Sequence, residues 1–272
     1  MAVAVWWRNS LCAALFTLLA LAMAFRARAT ELMITITNVQ PAGGFAISPL
    51  WAGVGDGTYT TFTSGGSASS AVENVAELAN LAPITTAFAG QGSETNVGSA
   101  PLVPGASASA ILDIANPSTN RYLDFLQMVV PSNDFFVGNS NPASIALFDS
   151  QGNFTAAQTL VLSGSNVWDA GTEVDNINFG AAFVASDNAT DHVAANSTIS
   201  PVFGGPNNFG PYLNSILGVQ TPAGYSISHL ISAGDAIETI EISAVPEPAT
   251  AVLFAAGVLA GLAAWGMRGK RR

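Results

Sequence analysis

The sequence predicts an all-β protein: an antiparallel β-sandwich with one short helix, flanked by an N-terminal signal peptide and a C-terminal transmembrane helix. Three observations lead there. Short runs of β-branched and apolar residues alternate with period 2. Gly, Asn and Pro clusters separate those runs at regular intervals. A single stretch carries helical rather than strand periodicity.

The first strand is Leu32-Met33-Ile34-Thr35-Ile36-Thr37. Leu32, Ile34 and Ile36 share one face, and Thr35 and Thr37 the other. Further strands are predicted at Pro49–Val54, Ala108–Ile114, Tyr122–Val130, Ser144–Phe148, Thr159–Ser163 and Ile237–Ser243. Turns at Pro41-Ala42-Gly43-Gly44, Gly55-Asp56-Gly57, Pro104-Gly105, Asn116-Pro117 and Ser150-Gln151-Gly152-Asn153 divide them. The one helix opens on Ser70-Ala71-Val72-Glu73, a capping box, and continues with Val72, Val75, Ala76 and Ala79 as an apolar stripe. Pro83 ends it. From Asn176 to Gly224 the chain is rich in Gly, Asn, Pro and Ser and reads as long loops.

The two ends are sorting segments. Arg8 lies in a short basic region, Leu11 to Phe25 is apolar, and Ala27-Arg28-Ala29 provides a small-x-small cleavage site, so residues 1–29 read as a secretory signal peptide. Cys12, the one cysteine, lies inside it, so the exported chain has no disulfide, thiol nucleophile or cysteine-based metal site. Residues 30–244 form the exported domain, a length suited to one sandwich.

At the other end Val245-Pro246-Glu247-Pro248-Ala249-Thr250 precedes an uncharged segment and then Arg268-Gly269-Lys270-Arg271-Arg272. The 20 uncharged residues from Pro248 to Met267 are enough to span about 30 Å of hydrocarbon. A transmembrane helix is therefore expected over residues 249–267, with the basic tail 268–272 held on the cytoplasmic side. A Pro-Glu-Pro motif, an apolar segment and a basic terminus, in that order over residues 245–272, resemble the PEP-CTERM sorting signal of Gram-negative bacteria that make exopolysaccharide. The resemblance implies processing by an exosortase-type membrane protease. Its motif residues here are Val245, Pro246, Glu247 and Pro248. The protein is expected to be transiently anchored in the inner membrane and delivered to the cell envelope or extracellular matrix.

Charge is partitioned sharply. Of eight Lys and Arg residues, only Arg121 lies in the exported domain, against seventeen acids, giving a formal charge of −16. Such a surface repels nucleic acid, has no basic patch for phosphates, and attracts divalent cations. Solubility alone accounts for much of the bias, but not for where individual acids sit.

The segments Ser48-Pro49-Leu50-Trp51-Ala52-Gly53-Val54 with Asp56-Gly57, and Gly66 to Glu77, are similar to the first half of a spondin domain. Met128-Val129-Val130-Pro131-Ser132-Asn133-Asp134-Phe135-Phe136-Val137-Gly138 and Trp168-Asp169-Ala170-Gly171-Thr172-Glu173 resemble its two most diagnostic motifs. Order and spacing agree from Leu32 to Glu173. The resemblance implies an antiparallel β-sandwich related to calcium-dependent lipid-binding domains, of the kind found in matrix and adhesion proteins. It also implies a calcium site at one end of the sandwich. Carried over by motif, Asp134 is the acid of the Pro-Ser-x-Asp turn and Asp169 the first acid of Asp-Ala-Gly-Thr-Glu. Asp113 matches the third ligand, where the family usually has Glu and a slightly shorter gap to the next motif.

Calcium takes six to eight oxygens, and carboxylates from separate strands suit it. Asp also caps turns by accepting from nearby amides, the ordinary role expected of Asp149 and Asp56. Glu173 is either an additional ligand or a solvated acid. Catalysis has little support: His192 and His229 are the only histidines of the domain, and neither lies in HExxH, GxSxG or a Gly-rich phosphate loop. Trp51 and Trp168 read as core or rim aromatics rather than as a sugar platform. The expected protein is a non-enzymatic, calcium-binding adhesion or matrix module that meets exopolysaccharide or another surface glycan. A secreted hydrolase and a passive surface structural protein are the rival readings.

Overall fold

A computed structural model describes residues 31–245. The segment expected as a signal peptide, Pro246, Glu247 and Pro248 of the expected sorting motif, the helix expected over 249–267 and the basic tail lie outside the described residues. Among the described residues no helix is long and apolar enough to cross a membrane.

The strands, in chain order, are β1 (Glu31–Asn38), β2 (Ala46–Ile47), β3 (Leu50–Gly55), β4 (Gly92–Val97), β5 (Ser107–Asp113), β6 (Tyr122–Val130), β7 (Phe135–Gly138), β8 (Gln158–Ser163), β9 (Val167–Asp169), β10 (Ser200–Pro201) and β11 (Ala236–Ala244). The helices are α1 (Ser70–Leu78), α2 (Ala82–Phe88) and α3 (Gly210–Ile216). Two sheets form, one of four strands in the order β5-β1-β11-β8, the other of seven in the order β10-β9-β7-β6-β3-β4 with β2 added beside β6. Every pairing is antiparallel, as the sequence predicts.

In β1 the period-2 pattern holds residue by residue. Leu32, Ile34 and Ile36 are fully buried, and the opposite face places Thr35 and Thr37 against Ser109 and Ser107, hydroxyl to hydroxyl at 2.8 Å. These isoleucines meet Ile240 and Ile242 of β11 and, across the sandwich, Leu50, Ala52, Val54, Phe125, Val129, Phe135 and Val137. Burying one such side chain contributes about 1.5–3 kcal/mol. The larger sheet is covered on its other face too: Trp51, Leu126 and Phe136 pack against Val72, Val75 and Ala76 of α1 and Ile84 and Phe88 of α2. Two covered faces explain why β6 is a continuous buried run rather than an alternating one.

Several local expectations are corrected. The described residues hold three short helices, not one. The cap of α1 is Ser69, whose hydroxyl accepts from Val72 N at 3.3 Å, so the capping residue stands one position before the predicted Ser70. Pro83 does not merely stop α1; it sits in the first turn of α2, where a missing N–H costs nothing. The loop-like stretch after Asn176 contains β10 and α3, whose buried Tyr212, Leu213 and Ile216 span too few residues to show a period. Ser144–Phe148 is not a strand but makes isolated bridges, because the Leu147 and Phe148 amides both point at the Arg121 carbonyl, at 2.8 and 3.4 Å. The polar strand β4 carries no apolar alternation; it is placed by pairing with β3 and by Glu94, which accepts from Trp51 Nε1 at 2.5 Å.

Candidate metal centre

Three segments converge at one end of the larger sheet: the turn between β6 and β7, the turn after β9, and the loop that follows to residue 197. The first turn is built by Ser132, whose hydroxyl donates to Val129 O at 2.6 Å and accepts from Phe135 N at 3.0 Å. Asn133 locks it to the distant α3: its Oδ1 accepts from the Tyr212 hydroxyl at 2.6 Å and from Asn176 N at 3.0 Å. Asp134 is thereby held with no solvent exposure.

One carboxylate oxygen of Asp134 organises the second turn. Its Oδ2 accepts from Thr172 N at 2.8 Å, Glu173 N at 3.0 Å and Thr172 Oγ1 at 3.2 Å. Gly171 permits this approach at φ 68°, and a Cβ there would lie 2.8 Å from Thr198 O. Asp169 stands opposite Phe135 and Ser200 at the end of β9. The metal-capable oxygens of Asp134, Asp169 and Asp175 lie within 4.8 Å of one another.

The electrostatics of this group are those of acids short of a counterion. Asp134 Oδ1, Asp175 Oδ1 and both carboxylate oxygens of Glu173 are buried without a hydrogen-bond partner. Burial, then the adjacent Asp134 carboxylate, push Asp169 far above the ordinary carboxylate range. Burial raises Glu173 to about 8, with Glu77 and Asp134 adding to it. Asp175 rises to about 7 through burial and Asp134. Leaving such oxygens unpaired costs about 1–3 kcal/mol each, more when charged. A hard divalent cation would remove that cost: the donors are all oxygen, as calcium requires, and the orphaned atoms belong to these acids.

The predicted ligands separate into two groups. Asp134 and Asp169 come together with their carboxylates side by side. Asp113 does not join them: it is exposed at the end of β5 in the four-stranded sheet, opposite Glu31. Asp175 joins them instead, and Glu173, whose N–H donates to Asp134 Oδ2, is 3% exposed and no solvated acid. The acids at 169, 173 and 175 around Gly171 are the sequence signal that points to them. Asp149 and Asp56 are turn acids as expected: Asp149 Oδ1 accepts from Gln151 N and Asn153 N at 2.9 Å, and Asp56 Oδ1 from Thr58 N at 2.9 Å. Trp51 is fully buried core, Trp168 packs edge-on against Phe62, and His229 is exposed beside Ser228.

The model of the Spondin_N family matches residues 44–202, which includes the Asp134 and Asp169 turns. No curated protein matches the chain.

Proposed function

Since this chain belongs to the Spondin_N family, a family of extracellular matrix and adhesion-type modules, we propose that it is an exported, calcium-binding adhesion or matrix module whose partner is exopolysaccharide or another surface glycan. The observation that carries the calcium assignment is the set of buried, unpartnered oxygens on Asp134, Glu173 and Asp175 beside Asp169. Asp134, Asp169 and Asp175 would hold the ion, with Glu173 at its edge. The cation neutralises their repulsion and ties the turns at 134 and 169–175 into one rigid surface. A stiffened loop surface binds a flexible polymer with less entropy loss than a loose one.

The test is a pull-down of the purified protein on exopolysaccharide, with calcium and with chelator. Retention is expected with calcium only, in wild type and in Asp149→Asn, and not in Asp134→Asn or Asp169→Asn. In parallel melts, calcium at a hundredfold excess over Kd should add about 2.7 kcal/mol to wild type and little to the two site variants. Equal retention under both conditions would remove calcium from the function. Glycan hydrolysis in the same incubation would replace the adhesion reading by the hydrolase one.

The terminal signals add a second expected outcome. Residues 245–272 direct the chain to an exosortase-type protease by way of the membrane. Cells expressing the full-length chain should hold it in the envelope and remove its tail, whereas a chain truncated after Ala244 should leave in the medium. Equal distribution with an intact tail would contradict this routing.

A further inference from the structure

We propose that Glu73, Glu77 and His192 form a second metal site, separate from the aspartate cluster, that takes a borderline divalent cation of the zinc class. Glu73 and Glu77 are four residues apart on α1 and so share one face of the helix. Their carboxylate oxygens and an imidazole nitrogen of His192 all lie within 4.8 Å of one another.

The loop carrying His192 is held in place from the metal-centre side. Val174 N donates to Val193 O at 2.8 Å, Glu173 bridges to Ala194, and Ala195 N donates to Thr172 O at 2.9 Å. This pairing sets His192 Nδ1 at 3.3 Å from Glu77 Oε2, the one ion pair among the described residues.

The second observation concerns the oxygens of Glu77 and Glu173. The Glu77 side chain is 9% exposed, and its Oε1 has no hydrogen-bond partner. Burial raises its pKa, the Thr172 hydroxyl and His192 act in the opposite direction, and Glu73 adds to the rise. Glu173, with two orphaned oxygens, bridges to Ala194 two residues from His192. One imidazole can bring at most a single positive charge to this group of carboxylates.

The donor set decides the metal class. Calcium and magnesium take oxygen ligands, and an imidazole nitrogen offers them nothing. One imidazole with two carboxylates suits zinc and its neighbours in the first transition row. Three protein ligands leave a fourth position for water or for Glu173. Such an ion would pin the loop around His192 to α1, next to the turn that holds Asp169. The assignment does not rest on the calcium reading, and the two can fail separately.

The test uses untagged full-length chain purified in detergent, stripped of metal and then saturated with calcium. Zinc titration by calorimetry should show one zinc per chain in the presence of calcium. Cobalt in its place should give visible ligand-field bands. His192→Ala and Glu77→Gln should each weaken zinc binding tenfold or more, and His229→Ala should leave it unchanged. His192 lies on an exposed loop, so an unaltered circular dichroism spectrum and an unaltered calcium response in His192→Ala would exclude misfolding as the cause. Zinc binding that survives in His192→Ala, or that calcium displaces completely, would overturn the proposal. Loss of the calcium response with zinc binding retained would overturn only the calcium reading.

Discussion

With chelator present, the melting temperature of this protein is expected to fall as pH is raised from about 5 to about 8, and calcium is expected to flatten that dependence. The sign follows from linkage. Glu173 and Asp175 have folded-state pKa values raised to about 8 and about 7, and Asp169 is raised further, all primarily by burial. In the unfolded chain these acids ionise near pH 4, so between about pH 4 and 8 the folded state binds more protons. Stability therefore declines with rising pH across that window and is greatest at its acid end. For the cluster as a whole, allowing for solvent screening, the loss is on the order of 4 kcal/mol. Asp169→Asn should remove part of the pH dependence, because the amide keeps the shape without a proton to lose. Melts at several pH values, with chelator and with calcium, measure both effects. A chelated protein whose stability rose across this window would show that these acids are not held protonated by the fold.

Glu238→Gln is expected to stabilise the protein strongly at about pH 9 and only slightly at about pH 4. Glu238 is fully buried in β11, both of its carboxylate oxygens lack partners, and burial raises it to about 8. Below the unfolded pKa both states carry the proton and the substitution changes little. Above the folded pKa the protein bears a buried unpaired charge, a penalty on the order of 4 kcal/mol that the amide avoids. Chemical denaturation of wild type and variant at the two pH values is the check. A gain of the same size at both would assign the effect to packing rather than charge. Among the described residues Glu238 belongs to no metal-capable group, so calcium should not change the comparison.

These two expectations also mark where the sequence was legible. In β11 the period-2 count from Ile242 and Ile240 arrives at Glu238, so its inward position can be read from the strand alone. What cannot be read there is whether a partner meets it. The extra residue between the pairings Ala236↔Ser163 and Glu238↔Leu162 is a feature of two strands that lie more than seventy residues apart. Likewise the two faces of β1, the acid surplus and the turn glycines follow from local pattern, because burial on one face of a strand must appear as alternation and sharp turns need particular residues.

The metal centre divides along the same line. Asp134 and Asp169 were legible because each sits in a short motif whose own turn positions it. Asp113 was assigned by strand order, and the structure puts it on the other sheet's exposed edge, since order along the chain does not say which end of which sheet a residue reaches. Asp175 and Glu173 were half legible, within six residues of Asp169 but with no local rule to tell a ligand from a solvated acid. The sequence by itself determined an all-β domain with almost no positive charge and two acidic turns. Only the tertiary structure brought Glu77 of α1, His192 of a remote loop and the acids after β9 to one end of the sandwich. Contacts between distant segments depend on how the sheets and covering helices stack, and no periodicity along one segment encodes that.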